Sequence, residues 1–218
     1  MCGKSSGRFG SYGVVPRKDV RCVHCGALER HRFLWLFLNK KTDLFDDKPK
    51  KMLHVAPEKC FESIFKQRLG TGYLTADLFN PRVMVRMNIC NIQYPDESFD
   101  IIYCSHVLEH VLDDKQAMKE LFRVLKNNGW AILNVPITSG KTFEDPSMVD
   151  PKDRLKAFGQ EDHVRSYGPD YVDRLRDSGF TVEITKVNDL ANNDEMIRMG
   201  LTQEVGEIYF CKKQYFGI

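Results

Sequence analysis

The chain has 218 residues, 32 Lys and Arg against 30 Asp and Glu, and 42% hydrophobic residues, a balance that suits one main globular domain with a small appendage and excludes disordered and fibrous chains. No apolar run approaches the roughly 18 residues needed to span a bilayer, and no basic, apolar, small-residue leader precedes the fold, so a cytoplasmic protein without a membrane partner is expected. In that compartment the seven cysteines do not read as a disulfide framework.

The net charge of +2 is unevenly spread, because Met1 to Lys51 holds twelve Lys and Arg against five Asp and Glu. An excess of this size more often marks a solvated surface than a phosphate-binding one, so nucleic acid is not the expected partner. Cys22-Val23-His24-Cys25-Gly26 is a C-x-x-C-G knuckle, and Cys2-Gly3 reads as the closing half of another, separated by a glycine-rich, aromatic-containing stretch of zinc-ribbon length. Cys2, Cys22 and Cys25 are therefore candidate zinc ligands. Tetrahedral zinc wants a fourth, to be sought in His24, His31 or a residue absent from the chain, and a degenerate ribbon without metal is the alternative. Ala27 to Leu38 predicts a helix, basic early and apolar later, that packs the appendage onto the main domain. The expected division is 1–50 for the extension and 51–218 for the domain. Cys60, Cys90, Cys104 and Cys211 lie singly in apolar or strand-like surroundings and read as small buried hydrophobes.

Lys51 to Glu58 predicts a first strand and the turn after it, Phe61 to Leu69 a helix, and Gly72 to Leu78 a second strand with Asp77 near its end. Phe99 to Cys104 is an apolar run of buried-strand type. Leu112 to Leu125 places Met118, Leu121, Phe122 and Leu125 at helical spacing, Asn128-Gly129 predicts the end of that helix, and Trp130 to Val135 the next strand. A strand, a crossover helix and a second strand favour a parallel sheet, whose ligands sit beyond the carboxyl ends of the strands. Ser105, His106, Glu109 and His110 fall at that edge. Farther on, Asp170 to Ser178 predicts a helix, Gly179 to Ile184 a strand, Asn188 to Gly200 a mobile flap and Glu207 to Lys213 an edge strand.

From Ser98 to Pro136, the order F-D, strand, H-x-L-E-H, helix, R-V-L-K, G-W resembles the class I S-adenosylmethionine-dependent methyltransferases, in particular the type 11 group. The resemblance spans roughly Lys51 to Lys213, and Asn127-Asn128-Gly129 stands where that group usually has Pro-Gly-Gly. The C-x-x-C-G-x-x-E-R-H-R run resembles an amino-terminal extension of some bacterial members. What the resemblance implies is an α/β, Rossmann-like fold, with a mostly parallel seven-stranded sheet, helices on both faces and a small zinc-ribbon-like extension.

The resemblance also implies a cofactor site for S-adenosylmethionine. Where related enzymes carry an acidic residue and a Gly-x-Gly turn, this chain has His54 and Ala56-Pro57-Glu58, so Ala56 would allow the close backbone approach and Glu58 would meet the ammonium group. Asp77, followed by Leu78, stands where a ribose clamp is expected, Asn88 could accept from the adenine amino group while Ile89 packs on the ring, and Ser105 completes the set. With a helix starting near Ser105, His106 and His110 would stand on one face with Glu109 beside them; they are the candidate catalytic residues, and three readings of them stay open. As a metal site the pair lacks a third ligand and the H-E-x-x-H order. As a base, His106 would hold an acceptor hydroxyl or amine near the methyl group. As structure, His106 would touch the methionine portion while His110 and Glu109 satisfy backbone groups at the helix end. His163, Arg165 and Tyr167 are the expected substrate-facing residues. The expected function is methyl transfer to a small-molecule or surface-exposed acceptor. The rival is a noncatalytic methyltransferase-like scaffold that recognises a protein, glycan carrier or nucleic acid.

Overall fold

The computed structural model describes residues 1–13 and 16–214. In chain order, strand β1 (Gly10–Tyr12) pairs antiparallel with β2 (Arg17–Arg21), and helix α1 (Glu29–Lys41) follows the Cys22–Gly26 knuckle. The alternation continues through β3 (Met52–Val55), α2 (Lys59–Leu69), β4 (Tyr73–Asp77), β5 (Val85–Arg86) and β6 (Phe99–Ser105). Next come α3 (Asp114–Val124), β7 (Leu125–Asn134), β8 (Phe143–Glu144), α4 (Pro151–Phe158) and β9 (Arg165–Ser166). The chain closes with α5 (Tyr171–Asp177), β10 (Thr181–Thr185), α6 (Val187–Leu190), α7 (Asn193–Met199) and β11 (Ile208–Lys212). Among the described residues no helix is long and apolar enough to cross a membrane.

The strands form a seven-stranded sheet in the order β10-β11-β7-β6-β3-β4-β5. Its pairs β3·β4, β3·β6, β4·β5 and β6·β7 are parallel, and β11 runs antiparallel to β7. This is the expected Rossmann-like α/β sheet. β3 lies centrally between β4 and β6, which is why all four of its residues are buried. α3 forms because Asp113 accepts from the Gln116 backbone N–H at 2.9 Å at its start, a cap worth about 1 kcal/mol. Its Ala117, Met118, Leu121 and Val124 recur at helical spacing and join Leu53, Ile102, Cys104 and Leu133 in the core. Burial of Met118 and Leu121 contributes about 1.5–3 kcal/mol each.

The chain forms two compact units, one of Met1–Pro49, Glu58–Gly70 and Thr185–Ile208, the other of Lys50–Pro57, Thr71–Ile184 and the residues from Tyr209 on. In the first unit the amino-terminal segment is joined to two later stretches that the sequence did not group with it. Arg32 explains one junction: its guanidinium donates to the carbonyls of Val20 and Ala27 at 2.9 and 2.7 Å, and also to those of Met199 and Gly200. Lys40 donates to Leu190 O at 3.1 Å and Glu195 at 2.8 Å. His31 meets Glu58 at 2.7 Å and packs edge-on against Phe61.

Three local expectations need correction. The stretch from Asn188 to Gly200, expected as a flap without regular structure of its own, is mostly helical, because Asn192 caps α7 by accepting from Glu195 N at 2.9 Å and Gly200 ends it in the left-handed region. The helix before Asn128-Gly129 already stops at Val124, and Gly129 lies inside β7. A Cβ there would meet Asp100 O at 2.8 Å and Lys126 O at 2.9 Å, so the glycine permits close strand approach instead of capping a helix. Finally, no helix begins near Ser105. A single tight turn covers Leu108–His110 and α3 starts only at Asp114, so His106 and His110 do not share a helical face.

Candidate active site

In the second unit the carboxyl ends of β3, β4 and β6 present the residues that matter. Past β3, Ala56 has φ 48 and donates its backbone N–H to Ala76 O at 2.8 Å. It thus takes the left-handed conformation usually left to glycine, at a cost of about 1–2 kcal/mol. At the end of β4, Asp77 Oδ1 accepts from the N–H groups of both Phe79 and Asn80 at 2.7 Å. That turn fixes the carboxylate and leaves Oδ2 for another donor. Leu78 and Phe79 beside it are exposed. Asn88 Oδ1 accepts from Cys90 N at 3.0 Å, keeping one lone pair, while Ile89 is buried in the core.

Two cofactor expectations meet a different arrangement. His54 is fully buried, with Nδ1 2.8 Å from the Tyr73 hydroxyl and its ring against Tyr103, so its side chain has no face for a ligand. Period-two alternation in β3 turns that ring into the packed layer. Glu58 lies in the first unit, where it accepts from His31 and stands 3.6 Å from Arg30.

Ser105 ends β6 opposite Asn134 of β7 and is nearly buried. His106 follows with φ 56, its N–H bonded to Asn134 O at 2.8 Å. Strain of this kind in a non-glycine residue gathers where a side chain must be aimed. Its half-exposed imidazole puts Nδ1 3.4 Å from Glu109 Oε1. Glu109 is only 1% exposed, and among the described residues its Oε2 has no hydrogen-bond partner. His110 Nδ1 lies 3.2 Å from Asp162 Oδ2, and its ring meets His163 edge-on with centroids 4.6 Å apart. His163 is buried, with Nδ1 3.2 Å from Phe158 O. Burial, aided by the neighbouring His110, pushes its pKa below the ordinary histidine value. Val164 N bonded to Glu109 O at 2.9 Å locks the two segments together.

Arg165 and Tyr167 occupy a different environment from the open one expected of substrate-facing residues. The Arg165 guanidinium is 2% exposed and donates to Glu144 Oε2, Leu108 O and Leu112 O at 2.8 Å, and to Val111 O. It therefore gathers the 108–112 loop around one buried charge. The Tyr167 hydroxyl donates to Asp114 Oδ2 at 2.6 Å, and Arg174 bridges Asp114 at 3.0 Å and Glu144 at 2.8 Å. Burial and the Asp114 carboxylate push the Tyr167 phenol well up, while Arg174 foremost, with Arg165, holds Glu144 down to about 2. Sequence reading missed Asp114, Glu144 and Arg174. Each sits on a separate element, and no spacing pattern announces a network assembled from three.

The cysteine cluster lies in the first unit. Cys2 Sγ and Cys22 Sγ are 3.9 Å apart, and with Cys25 the three sulfurs fall within 4.8 Å of one another. Gly26, at φ 73, donates to Cys22 O at 2.9 Å, which shapes the knuckle. Neither histidine supplies the fourth donor. His31 Nδ1 accepts from Leu28 N at 3.0 Å and its Nε2 faces Glu58, while His24 Nε2 lies against Ser5 O at 3.1 Å. The three thiol donors still suit zinc with one position left open.

Residues 50–133 match the family profile described as "Methyltransferase domain". Over 75 residues the chain is 33% identical to the uncharacterized methyltransferase YcgJ of Bacillus subtilis, covering 34% of this chain and 28% of that protein. It is 34% identical over 89 residues to phosphoethanolamine N-methyltransferase 1 of Arabidopsis thaliana, covering 40% and 16% respectively. The matched stretch is thus less than a third of either relative's length. Among solved structures, Burkholderia thailandensis 1,6-didemethyltoxoflavin-N1-methyltransferase, with 1,6-didemethyltoxoflavin and S-adenosylhomocysteine bound, superposes with a TM-score of 0.57 at 13% identity. That match covers 86% of this chain and 78% of the other.

Proposed function

We propose that the chain, whose residues 50–133 match the methyltransferase-domain profile and whose fold is that of class I methyltransferases, transfers a methyl group from S-adenosylmethionine to a small-molecule acceptor. One observation carries the reading: the tight left-handed turn at Ala56, the turn-held carboxylate of Asp77 and the strained His106 follow three adjacent parallel strands at their carboxyl ends. That is where an open parallel sheet receives its ligand. The bound-ligand structure from Burkholderia and the Arabidopsis relative, both named for methylating small molecules, support the acceptor class.

S-adenosylmethionine, when bound, supplies a methyl carbon on a sulfonium, and the acceptor's lone pair forms the new bond as the carbon–sulfur bond breaks. Asp77 Oδ2 would accept from the ribose hydroxyls, Ala56 would let the backbone come close, Leu78 would flank the ribose, and Asn88 would receive the adenine amino group on its remaining lone pair. Ile89, on the core side, backs this wall, and Ser105 fixes the end of β6. His106 takes the proton that the acceptor loses, which contributes about 10²–10⁴-fold where the acceptor is a hydroxyl or ammonium. His110 and His163 border the acceptor side, and Arg165 and Tyr167 act as positioning residues through the loop they hold. Alignment of the two reactants supplies much of the rest. In the first unit, Cys2, Cys22 and Cys25 would supply three of the four donors of a zinc site, which metal analysis before and after chelation tests.

Titration calorimetry with S-adenosylmethionine and S-adenosylhomocysteine tests the main reading. Micromolar binding of either is the expected result. Absence of heat and of any thermal shift at millimolar ligand would overturn it in favour of a noncatalytic scaffold.

A further inference from the structure

We propose that Glu109, His110 and His163 form a binding site for a divalent first-row transition ion. One donor atom from each of the three lies within 4.8 Å of the others. Two imidazoles and one carboxylate are a donor set that suits such ions and leaves positions open for water or an acceptor oxygen. His163, from the segment after α4, joins the neighbouring Glu109 and His110, and His106 stands outside the set.

Two independent features point to a cation. The first is Glu109 Oε2, buried and without a hydrogen-bond partner among the described residues. A buried polar atom left so costs about 1–3 kcal/mol, and native proteins rarely leave one unexplained. His106 addresses only the other oxygen, at 3.4 Å.

The second is the outer layer. His110 Nδ1 faces the Asp162 carboxylate at 3.2 Å and His163 Nδ1 faces Phe158 O at 3.2 Å. Each acceptor holds the Nδ1 proton and so presents Nε2 as a lone pair. Ligating histidines are characteristically oriented in this way, by a carboxylate on one and a backbone carbonyl on the other. The main chain contributes as well, since Val164 N is bonded to Glu109 O, so the two ligand-bearing segments cannot drift apart independently. Magnesium and calcium, which favour all-oxygen sites, fit this set poorly.

The ion site requires only these residues and is independent of methyl transfer. The test is titration of chelator-treated full-length protein with Co²⁺, followed by visible absorption and calorimetry. A thiolate charge-transfer band marks any ion taken by the cysteine cluster, so the two sites are read apart. Wild type should bind a Co²⁺ whose spectrum lacks that band. His110→Gln, at a half-exposed position, and Glu109→Gln should each abolish this signal and leave the thiolate band unchanged. Asp162→Asn, at an exposed position, should weaken the affinity about tenfold or more without touching a ligand. Absence of a thiolate-free Co²⁺ signal in wild type would overturn the proposal. So would a signal that His110→Gln and Asp162→Asn leave unaltered.

Discussion

Ala56 donates its backbone N–H to the carbonyl of Ala76 at 2.8 Å while holding φ at 48, so the turn after the central strand has glycine geometry without glycine. Relief of the left-handed strain, about 1–2 kcal/mol, is partly offset by the greater freedom of glycine in the unfolded chain, about 0.5–1 kcal/mol. Ala56→Gly should therefore raise the melting temperature by about 2 °C and keep cofactor binding. Ala56→Val, β-branched in the same conformation, should lower both. Thermal melts paired with calorimetry check the two variants.

Asp77 separates turn-holding from ligand-holding in one side chain. In Asp77→Asn the amide oxygen can still accept from Phe79 and Asn80, preserving the turn, but the outward atom becomes a donor and cannot accept from a ribose hydroxyl. The expected outcome is an unchanged melting temperature with S-adenosylhomocysteine affinity weakened by one to two orders of magnitude, which corresponds to about 1.5–3 kcal/mol for a hydrogen bond to a charged group. Equal binding by the variant would remove Asp77 from the site.

The Arg165 guanidinium spends its donors on three loop carbonyls and Glu144. Lysine carries the charge but lacks the planar fork, so it cannot serve all four acceptors. Arg165→Ala leaves Glu144 and the loop carbonyls without this partner and should cost about 3 kcal/mol, seen in urea unfolding. Arg165→Lys should recover part of the stability. Because the loop carries Glu109 and His110, it should also show a larger KM for the acceptor with binding of S-adenosylhomocysteine intact.

The parallel sheet and its central crossover were legible because they rest on local signals: buried apolar strands, helical spacing at Met118 and Leu121, and turn residues between them. The position of Asp77 at the end of the second strand was legible for the same reason. His54 misled because a polar residue in a strand was read from its distance to the turn, whereas the period-two pleat sends its ring to Tyr73 and Tyr103. Arg165 and Tyr167 misled for a different reason. Their burial depends on Asp114, Glu144 and Arg174, which only the folded chain brings to them. The His110 and His163 contact is of the same kind, since it joins segments on either side of β7 and α4.

Glu144 makes the buried network sensitive to acid. Its folded pKa of about 2 lies below the ordinary value of 4.5, with Arg174 the largest cause. A depressed carboxylate pKa contributes stability that is present above the unfolded value and is lost as pH falls toward the folded one. The window is therefore about pH 4.5 down to about 2. The side chain is 36% exposed, so solvent screening reduces the contribution to about 1 kcal/mol. Glu144→Gln should be less stable than wild type by about that amount at neutral pH, and the gap should shrink as the pH is lowered through this window. Urea unfolding of both proteins at neutral pH and near the bottom of the window measures it. A gap independent of pH would mean that Arg165 and Arg174 are held by Asp114 and the loop carbonyls without an electrostatic contribution from Glu144.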